Sequence, residues 1–332
     1  MEKKVRIQSI VKKNVLVILM LVLIVVMTVV NDNFLTSANL INILRNITAQ
    51  GIMACGMTMV LISGEIDLSF GSTAGLAGLI VAIFCDRMQG MLGLDLACVI
   101  GILLALLAAA VVGAINAYWI TKWRMPAMIA TLAMQYVVYG IAGFISQGWP
   151  YYTFPDWFSV IGMKKVLNIP ICVFIFVIMA AAYYILLSYG KFGRKVYAVG
   201  GNSESARLSG INVNRVKYTV MISNQLCAAV AGIVLSSQIM CAQSSLGAGT
   251  ELTVVAAVVI GGTGVGGGKG KMGGTIVGLI FLGLIINAMT LANIAEYPQY
   301  IVKGVLILFA IVLNVLQARP ERNRINNMRR EE

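Results

Sequence analysis

Three carboxylates lie where charge is unusual, at the edges of long apolar segments. Glu65 and Asp67 interrupt one pair of these segments, and Glu251 lies where another segment begins. Burying a charge in lipid is costly, so a buried acid is often the carrier of a proton or a cation. A carboxylate is also stabilised by the unpaired N–H groups and the dipole of a helix N-terminus. Because Asp67 stands just before Ser69, and Glu251 opens its segment, we expect helix capping, with a carrier site as the alternative.

The most glycine-rich stretch, residues 261–270, imitates two nucleotide-binding motifs. It matches the spacing GxGxxG after an apolar run, but a dinucleotide site also needs an acid about 20 residues further on. No Asp or Glu occurs between Leu252 and Ala295. A phosphate-binding loop is excluded as well, because Lys269 is followed by Gly270 rather than by Ser or Thr. We therefore expect the energy for any work by this chain to come from another subunit or from a gradient.

Catalytic chemistry has few candidates in this chain. The absence of histidine removes metal sites, catalytic triads and proton relays that depend on imidazole. The 6 cysteines form no CxxC pair, and we interpret them as small core residues. We expect no catalytic residues, no metal and no cofactor.

A few amide and hydroxyl side chains lie inside the apolar segments. Burying them in lipid costs free energy unless they form hydrogen bonds with protein or with water. Each should therefore face other helices or a polar path rather than lipid. These side chains are candidates to line a pore, and hydrogen bonding between helices is the alternative role. They are Asn116, Thr131, Asn224, Gln225 and Asn287.

The longest polar connection between apolar segments, residues 188–216, encodes a short helix. Asn202 is a suitable N-cap, Glu204 lies in the first turn, and Arg207 lies in the last turn. Gly210 supplies a left-handed stop. Such a helix of about 10 Å is too short to be stable alone, so we expect it to dock against something.

The elements that position these residues follow from composition. The chain has 332 residues, of which 59% are hydrophobic and only 11% are charged. A soluble domain carries about 25% charged residues, so the solvent for most of this surface must be lipid. The net charge of +12 does not indicate nucleic-acid binding, because the basic residues punctuate apolar runs.

Ten apolar runs are long enough, or nearly long enough, to span a bilayer, which predicts an all-α polytopic membrane protein. The predicted spans are 14–30, 47–63, 71–85, 91–118, 126–146, 169–188, 217–240, 251–263, 273–292 and 298–316. If the N-terminus is cytoplasmic, twenty of the 25 Lys and Arg residues fall inside, which predicts that both termini are cytoplasmic. We divide the chain into a basic N-terminus (1–13), one membrane domain (14–316) and a C-terminal tail (317–332).

Two of these spans are broken by polar or glycine-rich residues. One break covers residues 63–71, and the other follows the short span 251–263. Glycine-interrupted segments in the two halves of a chain are typical of a translocation path, and tight packing of small residues is a compatible alternative. The candidate path residues are Glu65, Asp67, Ser69, Gly71, Glu251, Gly261 and Gly262.

Several of these motifs together resemble one family, the membrane permease subunits of bacterial monosaccharide ABC importers of the ribose-permease type. The resemblance covers residues 33–317 and is strongest at five segments. They are 64–71, 126–132, 193–194, 200–211 and 251–268. Glu65 departs from the pattern, which has glycine there, and Asn314 stands where an acid is common.

The resemblance implies that two permease subunits form the pore in the bacterial plasma membrane and that the chain itself is not an enzyme. Each would contact an ATP-binding subunit through a cytosolic coupling helix near 202–210, and an extracytoplasmic sugar-binding protein would dock outside. The coupling residues would be Gly200, Gly201, Asn202, Glu204, Ala206, Arg207, Leu208 and Gly210. A gradient-driven transporter and a membrane-embedded enzyme are the alternatives from other classes.

Overall fold

The computed structural model describes residues 2–295, 297–306, 308 and 312, with side chains from residue 16 onwards. The helices that follow one another are α1 (Glu2–Val30), α2 (Ser37–Ile62), α3 (Phe70–Leu92), α4 (Leu94–Lys122), α5 (Ala127–Ser146) and α6 (Phe158–Gly162). A two-stranded hairpin, β1 (Lys165–Val166) and β2 (Ile169–Pro170), precedes α7 (Ile171–Ser188), α8 (Lys191–Gly201) and α9 (Ser203–Leu208). The chain continues with α10 (Val213–Ile239), α11 (Thr250–Ile260) and α12 (Met272–Leu291), and residues 297–306 are helical. The predicted tail, 317–332, lies outside the described residues.

Six helices in the described part of the chain are long and apolar enough to cross a membrane, namely α3, α4, α5, α7, α10 and α12. Large apolar side chains cover their outer faces, as Leu103 and Leu107 (each 61% exposed) and Phe144 (84% exposed) illustrate. Such a surface is stable in lipid and not in water. The chain is therefore a polytopic helical membrane protein, and the count of ten spans stays a prediction.

Helix α10 is the centre of the bundle and packs against α2, α3 and α4. Two thirds of its most apolar stretch is buried, a larger share than in the other candidate spans. Glycines bring the helices together, since a Cβ on Gly113 of α4 would lie 2.6 Å from the Cα of Ile222. With little hydrophobic force between helices in lipid, small residues allow the close contacts that hold a bundle together.

The first nine predicted spans each overlap a described helix, and the boundary of one of them differs informatively. Helix α2 begins at Ser37 rather than near residue 47, because the hydroxyl of Thr36 accepts a hydrogen bond from the N–H of Asn39 and caps it. The polar first turns of α2 hid this start from a search for apolar runs.

The six cysteines are all free and buried, as the sequence predicts.

The connection between α7 and α10 holds two helices, where the sequence predicted only one. Helix α8 was missed because Gly193, Gly200 and Gly201 are poor helix formers. It forms because Val196 and Val199 share one face of the helix and are buried against the membrane domain. Part of this connection therefore packs against the membrane domain rather than lying in water.

Candidate functional site

Asp67, in the break between α2 and α3, is the centre of a buried hydrogen-bond network. Its side chain is fully buried, and its Oδ1 accepts from the N–H of Ser69 at 2.9 Å and from the hydroxyl of Ser69 at 2.7 Å. Its Oδ2 accepts from the amides of Asn224 at 3.0 Å and Gln225 at 2.7 Å, both on α10. Asp67 thus orders the backbone before α3 and ties that backbone to α10, whereas the N-cap of α3 is Ser69, which makes no side-chain capping hydrogen bond.

Two further helices join the network around Ser69. The amide of Asn116 on α4 donates to the Ser69 hydroxyl at 2.8 Å, and Gln225 donates to it at 2.7 Å. The hydroxyl of Thr131 on α5 accepts from the N–H of Leu68 at 3.0 Å. Four of the five predicted pore-lining side chains therefore meet around one break, and each makes a contact between elements.

The amide groups of the network leave acceptor oxygens unpaired. Asn116 Oδ1, Asn224 Oδ1 and Gln225 Oε1 are buried without a hydrogen-bond partner among the described residues. Buried carbonyl oxygens are normally satisfied, so each of these atoms needs an explanation. A solute rich in hydroxyl groups is a suitable partner, because hydroxyls donate to carbonyl oxygens.

Asn287, the fifth predicted pore residue, lies elsewhere. Its amide and that of Asn39 exchange hydrogen bonds of 2.8 and 2.9 Å between α12 and α2. Its side-chain hydrogen bonds to Asn39 therefore join α12 to α2, away from the Asp67 network. The structure does not bring it together with the other four candidates.

Glu65 anchors the other end of the same break. It forms an ion pair with Lys217, in which both side chains are largely buried (13% and 21% exposed). Lys217 lies two turns before Asn224 on α10, about 10 Å along the helix axis. The segment from Glu65 to Asp67 therefore lies alongside α10. Side chains of that helix bind both acids.

An irregular segment joins α10 to α11. Residues 240–249 are largely non-helical and turn back along α3, so that a Cβ on Gly75 would lie 2.6 Å from the carbonyl oxygen of Ser244. A Cβ on Gly71 would likewise lie 2.7 Å from the carbonyl oxygen of Gly247 and would collide with the carboxylate of Glu251. Irregular backbone at membrane depth is tolerated where protein covers it, and here α3 does so.

Helix α11 starts inside the bundle with Glu251 in its first turn. Its carboxylate is buried (3% exposed), and Oε1 accepts from the amide of Gln135 on α5 at 3.3 Å. The helix ends at Gly261, whose neighbour Gly262 has a φ of +92° that favours glycine. Only 11 residues long, α11 covers about half of a bilayer core.

Helix α9 has the local structure that the sequence predicts. The side chain of Asn202 accepts from the N–H of Ser205 at 2.9 Å, and Gly210 has a φ of +81°. Arg207 donates to Glu204 at 3.1 Å, and this charged hydrogen bond lowers the pKa of the Glu204 carboxyl below its usual value. Leu208 is 75% exposed, so its apolar side chain is accessible to another protein.

Two members of the predicted coupling set face inward. Ala206 is 4% exposed and packs in the main hydrophobic core, so its side chain is not available to a partner. Gly200 belongs to α8 and is packed against the backbone of the membrane domain. The exposed residues of the set are Gly201, Asn202, Glu204, Arg207, Leu208 and Gly210.

Sequence reasoning missed several residues that complete these contacts. Gln135 lay on α5 without a partner in the sequence, and Asn39 fell outside the predicted span. Lys217 was counted only as a basic residue for the orientation, yet it pairs with Glu65. A buried carboxylate needs a partner, so Glu65 itself was the signal that such a cation exists.

Comparison with known proteins gives consistent results. Residues 39–311 match the family described as the branched-chain amino acid transport system / permease component. The chain is 37% identical over 301 residues to the ribose import permease protein of Escherichia coli (strain K12), covering 90% of this chain and 92% of that protein. It is 34% identical to the Bacillus subtilis (strain 168) ribose import permease protein, covering 88% and 89%.

An L-arabinose transport system permease protein of Escherichia coli (strain K12) is 32% identical over 290 residues, covering 87% of this chain and 86% of that protein. No solved structure gives a significant match. The similarity thus extends over almost the whole chain and includes both broken regions and α9.

Proposed function

The chain belongs to the family of permease components of branched-chain amino acid transport systems, and we propose that it is the membrane-spanning permease subunit of an ATP-driven importer of a monosaccharide. Its similarity to ribose and arabinose permeases supports a sugar as the substrate. The subunit itself performs no catalysis, and a partner ATP-binding subunit supplies the energy. A second permease copy completes the pore, and an extracytoplasmic binding protein delivers the sugar.

The observation that carries this proposal is the surface of α9. It presents Leu208 (75% exposed) beside an Arg207–Glu204 ion pair on a helix of 6 residues, too short to be stable without its neighbours. An apolar side chain framed by charges is typical of a docking surface for another protein. We assign this surface to the ATP-binding subunit.

We further propose ten spans in the plasma membrane with both termini in the cytoplasm, so that α9 faces the cytoplasm. The distribution of Lys and Arg supports this orientation. With the native cysteines all buried, Ser203→Cys should react with a membrane-impermeant thiol reagent only after permeabilisation. Leu167→Cys, in the hairpin between β1 and β2, should react in intact cells, and the reverse pattern would invert the topology.

The Asp67 network and the first turn of α11 are the proposed walls of the translocation path. The unpaired amide oxygens of Asn116, Asn224 and Gln225 support this role, because they suit the hydroxyl groups of a sugar. Glu251 and Gln135 offer a second polar pair at the start of a half-helix. Asn287 is not part of this proposal, since Asn39 occupies its amide.

Reconstitution in vesicles tests the proposed function. The test vesicles contain the permease, its ATP-binding subunit and the loaded binding protein. They should accumulate sugar only when ATP is present on the side of the membrane where the ATP-binding subunit lies. The permease alone should be silent with or without an ion gradient. Uptake by the permease alone, driven by a gradient, would instead establish a secondary transporter.

Variants of α9 test the docking surface. Burial of a leucine contributes about 1.5–3 kcal/mol, so Leu208→Ser should weaken binding of the ATP-binding subunit about tenfold or more. Arg207→Glu should weaken it too. The variant replaces the ion pair with Glu204 by two neighbouring negative charges on the docking surface. Leu167→Ser, at another exposed leucine (88%), is the matched control and should bind normally. Equal binding by all three variants would remove α9 as the docking site.

A further inference from the structure

A glycine junction lies behind α9, where three separate segments of backbone touch. It is formed by the last turn of α8, the end of α2 and the loop after α11, and its residues are Ile62, Gly64, Gly200, Gly201, Gly267 and Gly268. The N–H of Gly268 donates to the carbonyl oxygen of Ile62 at 2.8 Å, which joins the loop after α11 to the end of α2. Both broken regions of the membrane domain therefore meet at this one place.

Helix α8 closes the junction through contacts that leave no room for a side chain. A Cβ on Gly200 would collide with the carbonyl oxygen of Ile62 and would lie 2.7 Å from the nitrogen of Gly268. A Cβ on Gly268 would lie 2.8 Å from the Cα of Gly201. The hydroxyl of Tyr197, one turn earlier on α8, donates to the carbonyl oxygen of Gly270 at 2.8 Å. Helix α8 is thus fixed to the loop that terminates α11.

The junction is continuous with the docking surface. Asn202 ends α8 and at the same time caps α9, so the two helices share one residue without a flexible linker. Val196 and Val199 hold α8 against the core, and Ala206 does the same for α9. A displacement of α9 must therefore move α8, and the backbone contacts of Gly200 transfer that displacement to α11 and to the end of α2.

We infer that Gly200 and Tyr197 are positioning residues that transmit the movement of α9 to the half-helix α11 and to the α2–α3 break, so that ATP hydrolysis and sugar passage stay coupled. The inference rests on the proposed function. It assigns to Gly200 a role different from that of the exposed residues of α9, because Gly200 packs against the end of α2 and the loop after α11. Close glycine contacts suit this task because backbone atoms in contact cannot move independently.

Two glycines in the last turns of helices provide a matched pair of variants. A Cβ on Gly90, in the last turn of α3, meets nothing within 4 Å, whereas a Cβ on Gly200 collides with backbone. Both positions lie in the last turn of a helix, so an Ala substitution changes helix propensity by a similar amount at each. We compare Gly200→Ala with Gly90→Ala in the reconstituted complex, and measure sugar transported per ATP hydrolysed.

Gly200→Ala should lower this ratio, while Gly90→Ala keeps the wild-type ratio. Substitutions along a coupling route change coupling by about two- to thirtyfold, and a collision with backbone belongs in the upper part of that range. Loss of folded complex alone would reduce hydrolysis and uptake in parallel and would leave the ratio unchanged. An unchanged ratio in Gly200→Ala would therefore overturn the inference.

Tyr197→Phe decides the question if Gly200→Ala does not fold. It removes only the hydroxyl that donates to Gly270, so the complex should assemble and hydrolyse ATP at the basal rate but transport about half as much sugar per ATP or less. A wild-type ratio in this variant would overturn the inference. Failure of the proposed function is distinguishable, because wild-type uptake would then not depend on ATP at all.

Discussion

The two broken regions of the membrane domain are fastened in opposite ways. The α2–α3 break is held by side chains, since Asp67 and Ser69 take hydrogen bonds from α10 and α4. The end of α11 is held by backbone, since a Cβ on Gly261 would collide with the carbonyl oxygen of Gly274 on α12. The first region needs its buried polar side chains. The second needs glycines, because only residues without a side chain let the two backbones touch.

This difference determines which substitutions each region tolerates. Removing a polar group from the first region leaves several buried donors unpaired, which is expensive in a medium without water. Adding one methyl group to the second region forces two backbones apart. The first region is thus sensitive to the loss of a polar group, and the second is sensitive to the addition of a side-chain atom.

The largest effect is expected for Asp67→Ala. The variant leaves the amides of Asn224 and Gln225 and the N–H of Ser69 without their acceptor, so the free energy of unfolding should fall by about 2–4 kcal/mol. Thermal unfolding of the detergent-purified protein, followed by size exclusion, measures this loss. Asp86→Ala, on the helix α3 that follows the break, is the control, because Asp86 is exposed and its carboxylate accepts a hydrogen bond from the hydroxyl of Thr153.

Asp86→Ala should unfold at nearly the wild-type temperature. If Asp67→Ala and Asp86→Ala were equally stable, the network around Asp67 would contribute nothing to the fold. The contrast between the two regions would then be wrong, because the first would not depend on its side chains.

An intermediate effect is expected for Gly261→Ala. The new methyl group meets the backbone of Gly274 and lies 2.7 Å from the nitrogen of Thr275, so α11 and α12 must separate at a cost of about 1–3 kcal/mol. Gly273→Ala is the matched control, because a Cβ there meets nothing within 4 Å and alanine favours the helix. Unfolding temperatures that fall equally for both variants would contradict a specific backbone contact at Gly261.

The smallest effect is expected for Asn287→Leu. Asn287 lies outside both regions, so the variant measures the contribution of one polar contact between helices to the free energy of unfolding. Loss of the reciprocal hydrogen bonds with Asn39 should cost about 0.6–1.7 kcal/mol. The double variant Asn39→Leu with Asn287→Leu should recover part of this loss, because no amide is then left opposite an apolar side chain. Sugar uptake per folded permease should stay normal, and a selective loss of uptake would return Asn287 to the path.

The local structure of α9 is predictable because its signals are short-range. An N-cap, a first-turn acid and a stop at Gly210 act within a few residues, and the structure contains all three. The same reasoning failed for α8, where three glycines argue against a helix. That helix is stabilised by the burial of Val196 and Val199, which depends on neighbours far away in the sequence.

The candidate path shows the same division. Asn116, Thr131, Asn224 and Gln225 stood out as polar groups in apolar segments, and their cost in lipid predicted that each would face inward. Asn287 had the same signal and lies against Asn39 instead. Polarity in an apolar segment indicates that a partner exists, but the partner's identity depends on which helices are neighbours.

The sequence alone determined the solvent, the helical class, the two breaks and the short helix α9, because apolar composition, glycine spacing and capping residues act locally or through bulk partition into lipid. The tertiary structure alone decided that Asp67 lies against α10, that Lys217 pairs with Glu65, and that Gly200 joins both broken regions. These contacts link residues more than 60 positions apart. Their formation depends on helix packing, where a glycine without a Cβ permits contact but does not specify which backbone will make it.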